Sequence, residues 1–451
     1  MSKTHSADSP PIVPGLPLVG SAFRIFGADP RDFLMSQYRR LGPVFRLKAF
    51  HIDYLIMAGP AANRFVNAQG RHFFQSGRFW KGMLKEIEAE NFLIGLDGED
   101  HRKLRKKFNF NFSKLAVEPH IEEINELCVE TFRKMDPGVA FEVVNPVLQL
   151  SSKMIGCVMT GKVPDNKELE EFLYYLNETT NHFSLNRFPA WLLKFKGPRF
   201  RKARALTMAF AEGVINEKIE GRRSIHNYVD TVFEAAQECP HLFAHGDLRF
   251  SAILPFFAGI DTMGQTLNYA LFELHRHPDL LSRVKKEVNA VFSYGIPDLK
   301  QIKEMELVTS TVLETMRLHP SAFGMVRTAV KSFNFEGFDI SKGTDIVILT
   351  SAPHFNEAYF KNPSAFDIDR FRAPRNEHLK RDVFAPFGRG PHTCLGAGMS
   401  MTLMVLALGA ILFNYEFETL SQTKKYKERI SPTPSLGKHF KLVLKRRRQL
   451  R

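Results

Sequence analysis

The chain has 451 residues, a formal net charge of +14, and 44% hydrophobic against 24% charged residues. This balance excludes an intrinsically disordered chain, and the length allows a core large enough to enclose a cofactor. A basic surface can attract nucleic acid, anionic lipid or an acidic protein. The sequence shows no zinc-finger spacing, helix-turn-helix pattern or aromatic-lined basic groove, so we expect no nucleic-acid partner.

The cysteines also restrict the class of protein. The four cysteines are far apart and form no CxxC pair, so neither a disulfide scaffold nor a zinc ribbon is expected. Residues 1–9 are polar and lack the apolar segment of a signal peptide. These features predict a soluble, cytoplasmic protein, and the basic surface leaves a peripheral membrane contact open.

The predicted elements are short strands at both ends and helices between them. Residues 1–20 form a Pro-rich segment, and PPIVPGLPLVG at its end predicts an extended, turn-rich chain. Helical spacing of apolar residues extends from residue 101 to about 317. The clearest predicted helices are residues 121–135, 169–183 and 206–220. The predicted strands are residues 44–47, 54–58, 333–338 and 345–350, the first two paired with each other.

The C-terminal part contains one strongly apolar segment. Residues 395–413 carry no charge, which reaches the length of a membrane span. Three glycines, a serine and a threonine lie within it, so a buried core helix explains it better. A β turn at residues 431–437 and a basic tail at residues 445–451 complete the chain. We predict a single domain over residues 1–451, mainly α with a small β portion.

Three short motifs place charged or polar side chains on helical faces. In HRKLR, His101 and Arg105 lie one turn apart, whereas the other basic residues nearby are typical of a solvated face. The motif AGIDT, residues 258–262, lies in a helix predicted at about residues 251–275. A glycine there costs about 1 kcal/mol relative to alanine, which predicts a local distortion with a polar group facing a pocket. A solvent-facing Asp-Thr pair is the alternative. In ETMR, Glu314 and Arg317 share one face and can pair.

The strongest motif is a glycine-rich loop around a cysteine, which reads FAPFGRGPHTCLGAG over residues 384–398. Such a loop lets backbone N–H groups turn toward the sulfur, and the helix that follows points its positive end at the same place. Both effects favour a thiolate on Cys394. A thiolate is an axial ligand of haem iron and favours O–O cleavage.

Residues 387–396, FGRGPHTCLG, resemble the haem-binding signature of the cytochrome P-450 family, FGxGxHxCxG, at every fixed position. The segments HRKLR, AGIDT, ETMR and DRF resemble four further motifs of that family and occur in the family's order. One departure is Ile-Asp-Arg-Phe at residues 368–371, where the family more often has Pro-Glu-Arg-Phe. The resemblance covers nearly the whole chain and implies the cytochrome P-450 fold, with haem b between a distal helix and the cysteine loop.

The resemblance also implies roles for individual residues. Cys394 would be the iron ligand. The residues implied in binding the haem are Cys394, His392, His101, Arg105, Arg327, Phe387, Gly388, Gly396, Ala258 and Gly259. Asp261 and Thr262 would deliver protons to dioxygen, and this role agrees with the need of O–O cleavage for positioned donors. Glu314, Arg317 and Arg370 would hold the core beneath the haem.

We therefore expect a haem-thiolate monooxygenase that uses O2 to hydroxylate or epoxidise a small hydrophobic substrate. A separate ferredoxin or flavodoxin-type donor would supply electrons by docking on the basic proximal face, and the protein is expected to be a monomer. Three alternatives remain. A peroxide-using member of the fold typically replaces the Asp-Thr pair, an isomerase-type member typically lacks the threonine, and a haem sensor or electron carrier would show no turnover.

Apolar residues near these motifs are candidates for the substrate pocket. They flank the HRKLR helix, the AGIDT motif, the ETMR helix and the terminal turn. The candidates are Phe79, Trp80, Met83, Phe256, Phe257, Ile260, Phe323, Met325 and Leu436. Plain core packing is the alternative for each of them. The substrate itself cannot be read from these residues, although a lipid, terpenoid, steroid or aromatic compound would suit them.

Overall fold

The computed structural model describes residues 9–26, 30–183, 188, 190–221, 226–419 and 433–448. Residues 1–8 of the predicted Pro-rich segment, 431–432 of the predicted β turn and 449–451 of the predicted basic tail lie outside the described residues. The described residues are mainly helical with small sheets, which confirms the predicted fold class.

The helices begin and end close to the predicted positions. In the described residues they are α1 (Ala22–Phe26), α2 (Pro30–Leu41), α3 (Pro60–Phe73), α4 (Gly77–Glu86), α5 (Gly98–Phe108), α6 (Ile121–Arg133), α7 (Val144–Ile155), α8 (Asn166–Phe183), α9 (Pro198–Ile219), α10 (Tyr228–Glu238), α11 (His245–Arg276), α12 (Pro278–Phe292), α13 (Leu299–Glu304), α14 (Glu306–Leu318) and α15 (Ala397–Asn414). The largest difference is at α9, which begins eight residues before the predicted helix. A proline occupies its first position, where the missing N–H group costs nothing.

The strands form three small sheets. In the described residues they are β1 (Val44–Ala49), β2 (Ile52–Ala58), β3 (Phe74–Gln75), β4 (Ala140–Glu142), β5 (Met325–Ala329), β6 (Phe333–Phe335), β7 (Phe338–Ile340), β8 (Asp345–Leu349), β9 (Tyr415–Thr419) and β10 (Lys441–Arg447). The largest sheet has the order β1-β2-β8-β5-β3. Its first two strands are antiparallel with Val44 opposite Met57, which confirms the predicted pairing. The sheet holds Arg327 on β5, which pairs with β3 directly after α3.

The predicted single strand at residues 333–338 is wrong, because the chain reverses within it. Phe335 pairs with Phe338, and the two residues between them form the hairpin turn from β6 to β7. Glu336 and Gly337 have φ angles of 50° and 84°. Two consecutive positive φ angles are the requirement of a two-residue type I′ turn, for which glycine is well suited.

Helix α11 crosses the interior and is buried over most of its length. It extends the predicted helix by about two turns at its N-terminal end, where Asp247 accepts hydrogen bonds from the Ala244 and Glu90 N–H groups. The helix is continuous through residues 258–262, so the local distortion predicted from Gly259 is not observed. The glycine serves packing instead, because a Cβ there would lie 2.7 Å from Ile155 Cδ1 of α7.

Helix α15 is long and apolar enough to cross a membrane, and it is the one such helix in the described residues. Its side chains, from Met399 to Leu412, belong to the main hydrophobic core, together with those of α6, α11 and α14. The packing therefore agrees with a core helix, as predicted from its glycines and hydroxyl residues.

Candidate active site

The cysteine loop is held in shape by two glycines. Gly388 and Gly390 have φ angles of 72° and 80°, a region that other residues rarely adopt. A Cβ on Gly390 would also lie 2.7 Å from the Val66 carbonyl oxygen on α3. The Cys394 N–H donates to the Phe387 carbonyl oxygen at 2.9 Å and closes the turn. The loop therefore places Cys394 just before α15, as the sequence motif predicts.

Cys394 has accessible surface, yet its thiol is closely surrounded by protein atoms. Both observations are expected of a group that faces an internal cavity. Burial raises the pKa of this thiol above its ordinary value, while a hydrogen bond from the Gly396 N–H and the Arg105 charge act in the opposite direction. Without a bound metal, lost solvation therefore opposes the thiolate, and the two stabilising groups offset it only in part. A metal ion bound to the sulfur would supply the charge that removes the proton.

A cavity of about 1080 Å³ lies beside the loop and is lined by Arg105, Arg327, Arg389 and the two histidines predicted to contact the cofactor. The Arg105 guanidinium donates to the Thr393 carbonyl oxygen, and Arg327 donates to the Val326 carbonyl oxygen. Burial lowers the pKa of Arg327 to about 10, so it remains charged at neutral pH. Among the described residues, no carboxylate forms a salt bridge with any of these three arginines.

The two histidines stack on one another at the wall of this cavity. The His101 and His392 rings are 4.1 Å apart between centroids, and His392 Nε2 donates to Asp97 Oδ1 at 3.0 Å. Asp97 also accepts from the Ser76 and Gly77 N–H groups. Burial, followed by the neighbouring His392 and Arg105 charges, lowers the pKa of His101 to about 4. His101 is therefore uncharged at neutral pH, while the Nε2–H group of His392 is bound to Asp97 and would reach a cofactor carboxylate only by leaving it.

This donor set fits a haem. A thiol that faces a cavity can bind iron, and buried guanidinium groups that lack carboxylate partners can bind the two propionates. Cys394 would hold the iron, and Arg105, Arg327 and the His392 ring lie where the cofactor's carboxylates can be bound. The Arg389 Nε atom is buried and has no hydrogen-bond partner among the described residues, which adds a fourth donor that the sequence analysis did not include.

Helix α11 opens to a cavity along one short stripe. Over residues 250–275 its side chains are buried except at Phe257, Ala258, Gly259 and Thr262. Positions 258, 259 and 262 lie on one helical face. The Thr262 hydroxyl donates to the Ala258 carbonyl oxygen at 2.7 Å and keeps its lone pairs available on that face. A ligand bound against this stripe could therefore form a hydrogen bond with the Thr262 hydroxyl in an otherwise buried helix.

Asp261 lies behind this stripe. Its side chain is only 7% exposed, and its Oδ1 accepts a hydrogen bond from Gln265 Nε2 at 3.1 Å. The structure therefore places the two predicted catalytic side chains on different faces of α11, with Thr262 toward the opening and Asp261 toward the packed side. Gln265 was not predicted, although its position one turn after Asp261 could have indicated the pair.

Glu314, Arg317 and Arg370 come together in a buried network. Arg317 forms two hydrogen bonds to Glu314, at 2.6 and 2.8 Å, and Arg370 Nε lies 3.1 Å from Glu314 Oε1. All three side chains are fully buried, and Glu377 adds a second carboxylate to Arg370. The remaining guanidinium N–H groups donate to backbone carbonyl oxygens of the loop between β8 and the cysteine. The network therefore ties α14 to that loop.

The comparisons with known proteins agree with this site. The family described as cytochrome P-450 matches residues 10–442 of the sequence. The chain belongs to the cytochrome P-450 family. Abscisic acid 8'-hydroxylase of Solanum lycopersicum is 24% identical over 433 residues, which cover 93% of this chain and 87% of the relative. The 7,8-epoxymelianol synthase of Ailanthus altissima is 26% identical over 443 residues, which cover 93% and 86%.

The fold is also that of a solved cytochrome P-450. The retinoic acid-bound cyanobacterial CYP120A1 has a TM-score of 0.83 and 21% identity to this chain, and the match covers 97% of this chain and 99% of the other. The predicted family and fold are thereby confirmed. The family and its hydroxylase-named relatives make this protein a haem-containing monooxygenase of the oxidoreductase class, as the sequence motifs indicated.

The candidate substrate residues divide between partly exposed positions and the core. Phe79 and Trp80 of α4 begin a row of ring contacts that continues through Phe92 and Phe250 to Phe257 on the open stripe of α11. Phe92 and Phe250 were not predicted, because each lies alone among polar or aliphatic neighbours in the sequence. This aromatic row offers an apolar wall beside Thr262.

The other candidates lie deeper or elsewhere. Phe256 is 1% exposed and its ring contacts those of Phe172 and Phe210. Met83, Ile260 and Leu436 are also buried in the main core. Phe323 packs against Phe355 beside the first sheet. Met325 on β5 reaches the cysteine loop, since a Cβ on Gly388 would lie 3.0 Å from its Cε atom.

Proposed function

We propose that this cytochrome P-450 inserts one atom of O2 into a C–H or C=C bond of a small apolar molecule and acts as a single catalytic unit. The observation that carries the proposal is the open stripe of α11, which presents the Thr262 hydroxyl in an otherwise buried helix. A hydroxyl at this position can relay protons to reduced oxygen, which a haem sensor without turnover would not require.

The haem, as haem b, supplies oxygen activation when bound, and the protein's own groups do the rest. Cys394 would bind the iron through its sulfur, while Arg105, Arg327 and His392 would hold the carboxylates. Thr262 would pass a proton from its hydroxyl and accept another in return. Asp261, held by Gln265 on the packed side, would supply protons to that hydroxyl after a side-chain rotation.

The substrate class follows from the aromatic row between α4 and α11. Phe79, Trp80 and Phe257 are partly exposed, with Phe92 and Phe250 buried behind them, and these apolar rings suit a compact hydrocarbon skeleton. The compounds in the names of the three relatives above are abscisic acid, 7,8-epoxymelianol and retinoic acid. A terpenoid is therefore the class that we propose to test first.

Electrons would come from a separate ferredoxin or flavodoxin-type protein in the cytoplasm, to which the enzyme binds as a monomer. Of the basic residues on α5, Arg102 pairs with Glu99, and Lys107 pairs with Glu234 and Glu238. Lys103 and Lys106 remain exposed. We propose that these two lysines contribute most to docking of an acidic donor on the proximal face, while a peripheral membrane contact remains a further proposal.

A matched pair of variants tests the monooxygenase assignment. Thr262 and Thr266 lie one turn apart on α11 and each donates to the carbonyl oxygen four residues earlier. In Thr262→Ala, product formed per O2 consumed should fall about 10- to 100-fold, because proton delivery is lost. In Thr266→Ala, whose side chain is buried, the same ratio should stay within about twofold of the wild-type ratio.

Two results would contradict the assignment. Equal product yields with peroxide alone and with O2 plus reductant would favour the peroxide-using alternative, and substrate conversion without either oxidant would favour the isomerase type. The carbon monoxide difference spectrum of the reduced protein tests the ligand separately. Cys394→His should lose the thiolate-type band, whereas Cys239→Ser should retain it.

A further inference from the structure

A second group of ligating side chains lies outside the haem motifs, between the start of α6 and the end of α7. His120 directly precedes α6, Glu123 lies in its first turn, and Cys157 lies in the helical turn after α7. Cys157 Sγ is 3.3 Å from His120 Nδ1 and 2.9 Å from Glu123 Oε2, and the latter two atoms are 3.7 Å apart. Among the described residues, this is the group of three that can converge on one metal ion.

The three donor atoms lie within a few tenths of an ångström of the spacing of a zinc site. In tetrahedral zinc, bonds of about 2.3 Å to sulfur and about 2.0–2.1 Å to nitrogen or oxygen separate the donor atoms by roughly 3.3–3.6 Å. The sulfur–oxygen separation of 2.9 Å is below this range, the nitrogen–oxygen separation of 3.7 Å is above it, and the sulfur–nitrogen separation of 3.3 Å is at its lower end. A small rotation of the Glu123 side chain, which is 61% exposed, would bring the sulfur–oxygen distance into it.

Burial and backbone geometry give a pocket with one open side. Cys157 is 8% exposed, the His120 side chain is 13% exposed, and Glu123 faces solvent. An ion could therefore enter past Glu123 and keep a water molecule as its fourth ligand. Cys157 lies in the π-helical turn Gly156–Thr160, a rare geometry that often occurs at functional sites. Cys128, by contrast, is completely buried at 0% exposed.

Two other functions of a Cys-His-Glu group fit less well. A nucleophile or a redox sensor needs a thiolate at neutral pH. Burial raises the pKa of the Cys157 thiol far above its ordinary value, and the adjacent Glu123 carboxylate raises it further. Without a cation the group is therefore a hydrogen-bonded thiol, and only a metal ion that displaces the proton would make it a ligand.

We propose that His120, Glu123 and Cys157 bind one zinc ion, with an open fourth position for water. The ion joins the first turn of α6 to the end of α7. Ile155, two residues before Cys157, packs against Gly259 on the open stripe of α11. The zinc site therefore stabilises the helix that supports the distal wall of the haem cavity.

Elemental analysis of the haem-loaded protein tests the site, because haem keeps Cys394 from binding the added metal. The protein is treated with a chelator, incubated with one equivalent of Zn²⁺ and desalted. The wild type should retain about one zinc ion per chain, and Cys157→Ser and Glu123→Gln should retain little. Cys239→Ser, which changes another buried cysteine, should retain as much as the wild type.

X-ray absorption at the zinc edge gives an independent measurement on the wild type, with one sulfur and otherwise nitrogen or oxygen ligands expected. Added Zn²⁺ should also raise the Tm of the wild type and leave that of Glu123→Gln unchanged, since a ligand stabilises only the form that binds it. No zinc retention by the wild type, or equal retention by Glu123→Gln, would overturn the proposal. Glu123 is exposed, so this variant is expected to fold even if Cys157→Ser does not.

Discussion

Two groups of buried arginines in this cytochrome P-450 differ in how their charges are satisfied. Arg317 and Arg370 are fully buried, and each guanidinium nitrogen donates to Glu314, Glu377 or a backbone carbonyl oxygen. Arg327 is 8% exposed and donates to the carbonyl oxygen of the adjacent residue Val326. Among the described residues, Arg105 donates only to the Thr393 carbonyl oxygen. The first group forms ion pairs within the protein, whereas the second forms none among the described residues.

The difference separates residues that hold the fold from residues that await a ligand. A buried ion pair is costly to break, because the partner is left as an uncompensated charge. A buried cation without an anion lowers the stability of the protein by itself and gains when a ligand supplies the carboxylate. We therefore expect mutations in the two groups to have opposite effects on the haem-free protein.

The largest effect is expected in the paired group. Arg317→Ala leaves the Glu314 carboxylate buried without its main partner, so the free energy of unfolding should fall by about 3–5 kcal/mol. Urea unfolding followed by circular dichroism measures this change. The control is Arg283→Ala, which removes the exposed ion pair with Asp369 and should cost at most about 1 kcal/mol. Equal costs in the two variants would show that burial does not distinguish them.

The second prediction concerns the unpaired group. Arg327→Met removes a charged donor to a haem carboxylate, so haem affinity should fall about 10- to 100-fold, corresponding to the loss of one charge-assisted hydrogen bond. Transfer of haem to an acceptor protein measures this loss. The haem-free variant should be at least as stable as the haem-free wild type, because an unpaired buried cation is removed.

Arg133→Met, on the exposed side of α6, serves as the control for Arg327→Met and should change neither quantity. A haem-free Arg327→Met protein that is clearly less stable than the wild type would place Arg327 with the structural group and remove the contrast.

The smallest predicted effect is a pH dependence of stability caused by His354, which lies beside the paired arginines. His354 is fully buried, its Nε2 accepts from the Ala385 N–H, and its carbonyl oxygen accepts from Arg317. Burial, followed by the Arg317 charge, lowers the pKa of His354 from 6.5 to about 3. Between these values the unfolded chain binds a proton that the folded protein does not. Stability should therefore fall as the pH drops from 7 to 5, by about 2 kcal/mol from this residue.

The variant His354→Gln keeps an acceptor for the Ala385 N–H and does not titrate, so its stability should vary less over the same pH range. Urea unfolding at pH 7 and pH 5 compares the two proteins. His275, whose pKa is also lowered by burial, to about 4, contributes equally to both and does not affect the difference. An identical pH dependence would mean that His354 can accept its proton within the fold.

Some parts of the site were readable from the sequence because they rest on local chemistry. The glycines around Cys394 are needed for positive φ angles in one short loop, and Glu314 and Arg317 share a helical face whatever the tertiary structure is. The sequence did not indicate Asp97 as a site residue, because an acidic residue directly before a helix is typical of an N-cap. Its actual partners, Ser76, Gly77 and His392, lie far from it in the sequence.

The sequence by itself determined the family, the mainly helical fold and the order of the motifs, and it predicted the cysteine ligand, because each depends on residue type and short spacing. The tertiary structure decided which charges are satisfied. It joined Arg370 to Glu314, left Arg327 without an ion pair among the described residues, and turned Asp261 away from the face that carries Thr262. These outcomes depend on burial and on contacts between distant segments, which set the electrostatic energy of a charge and cannot be read from its neighbours in the chain.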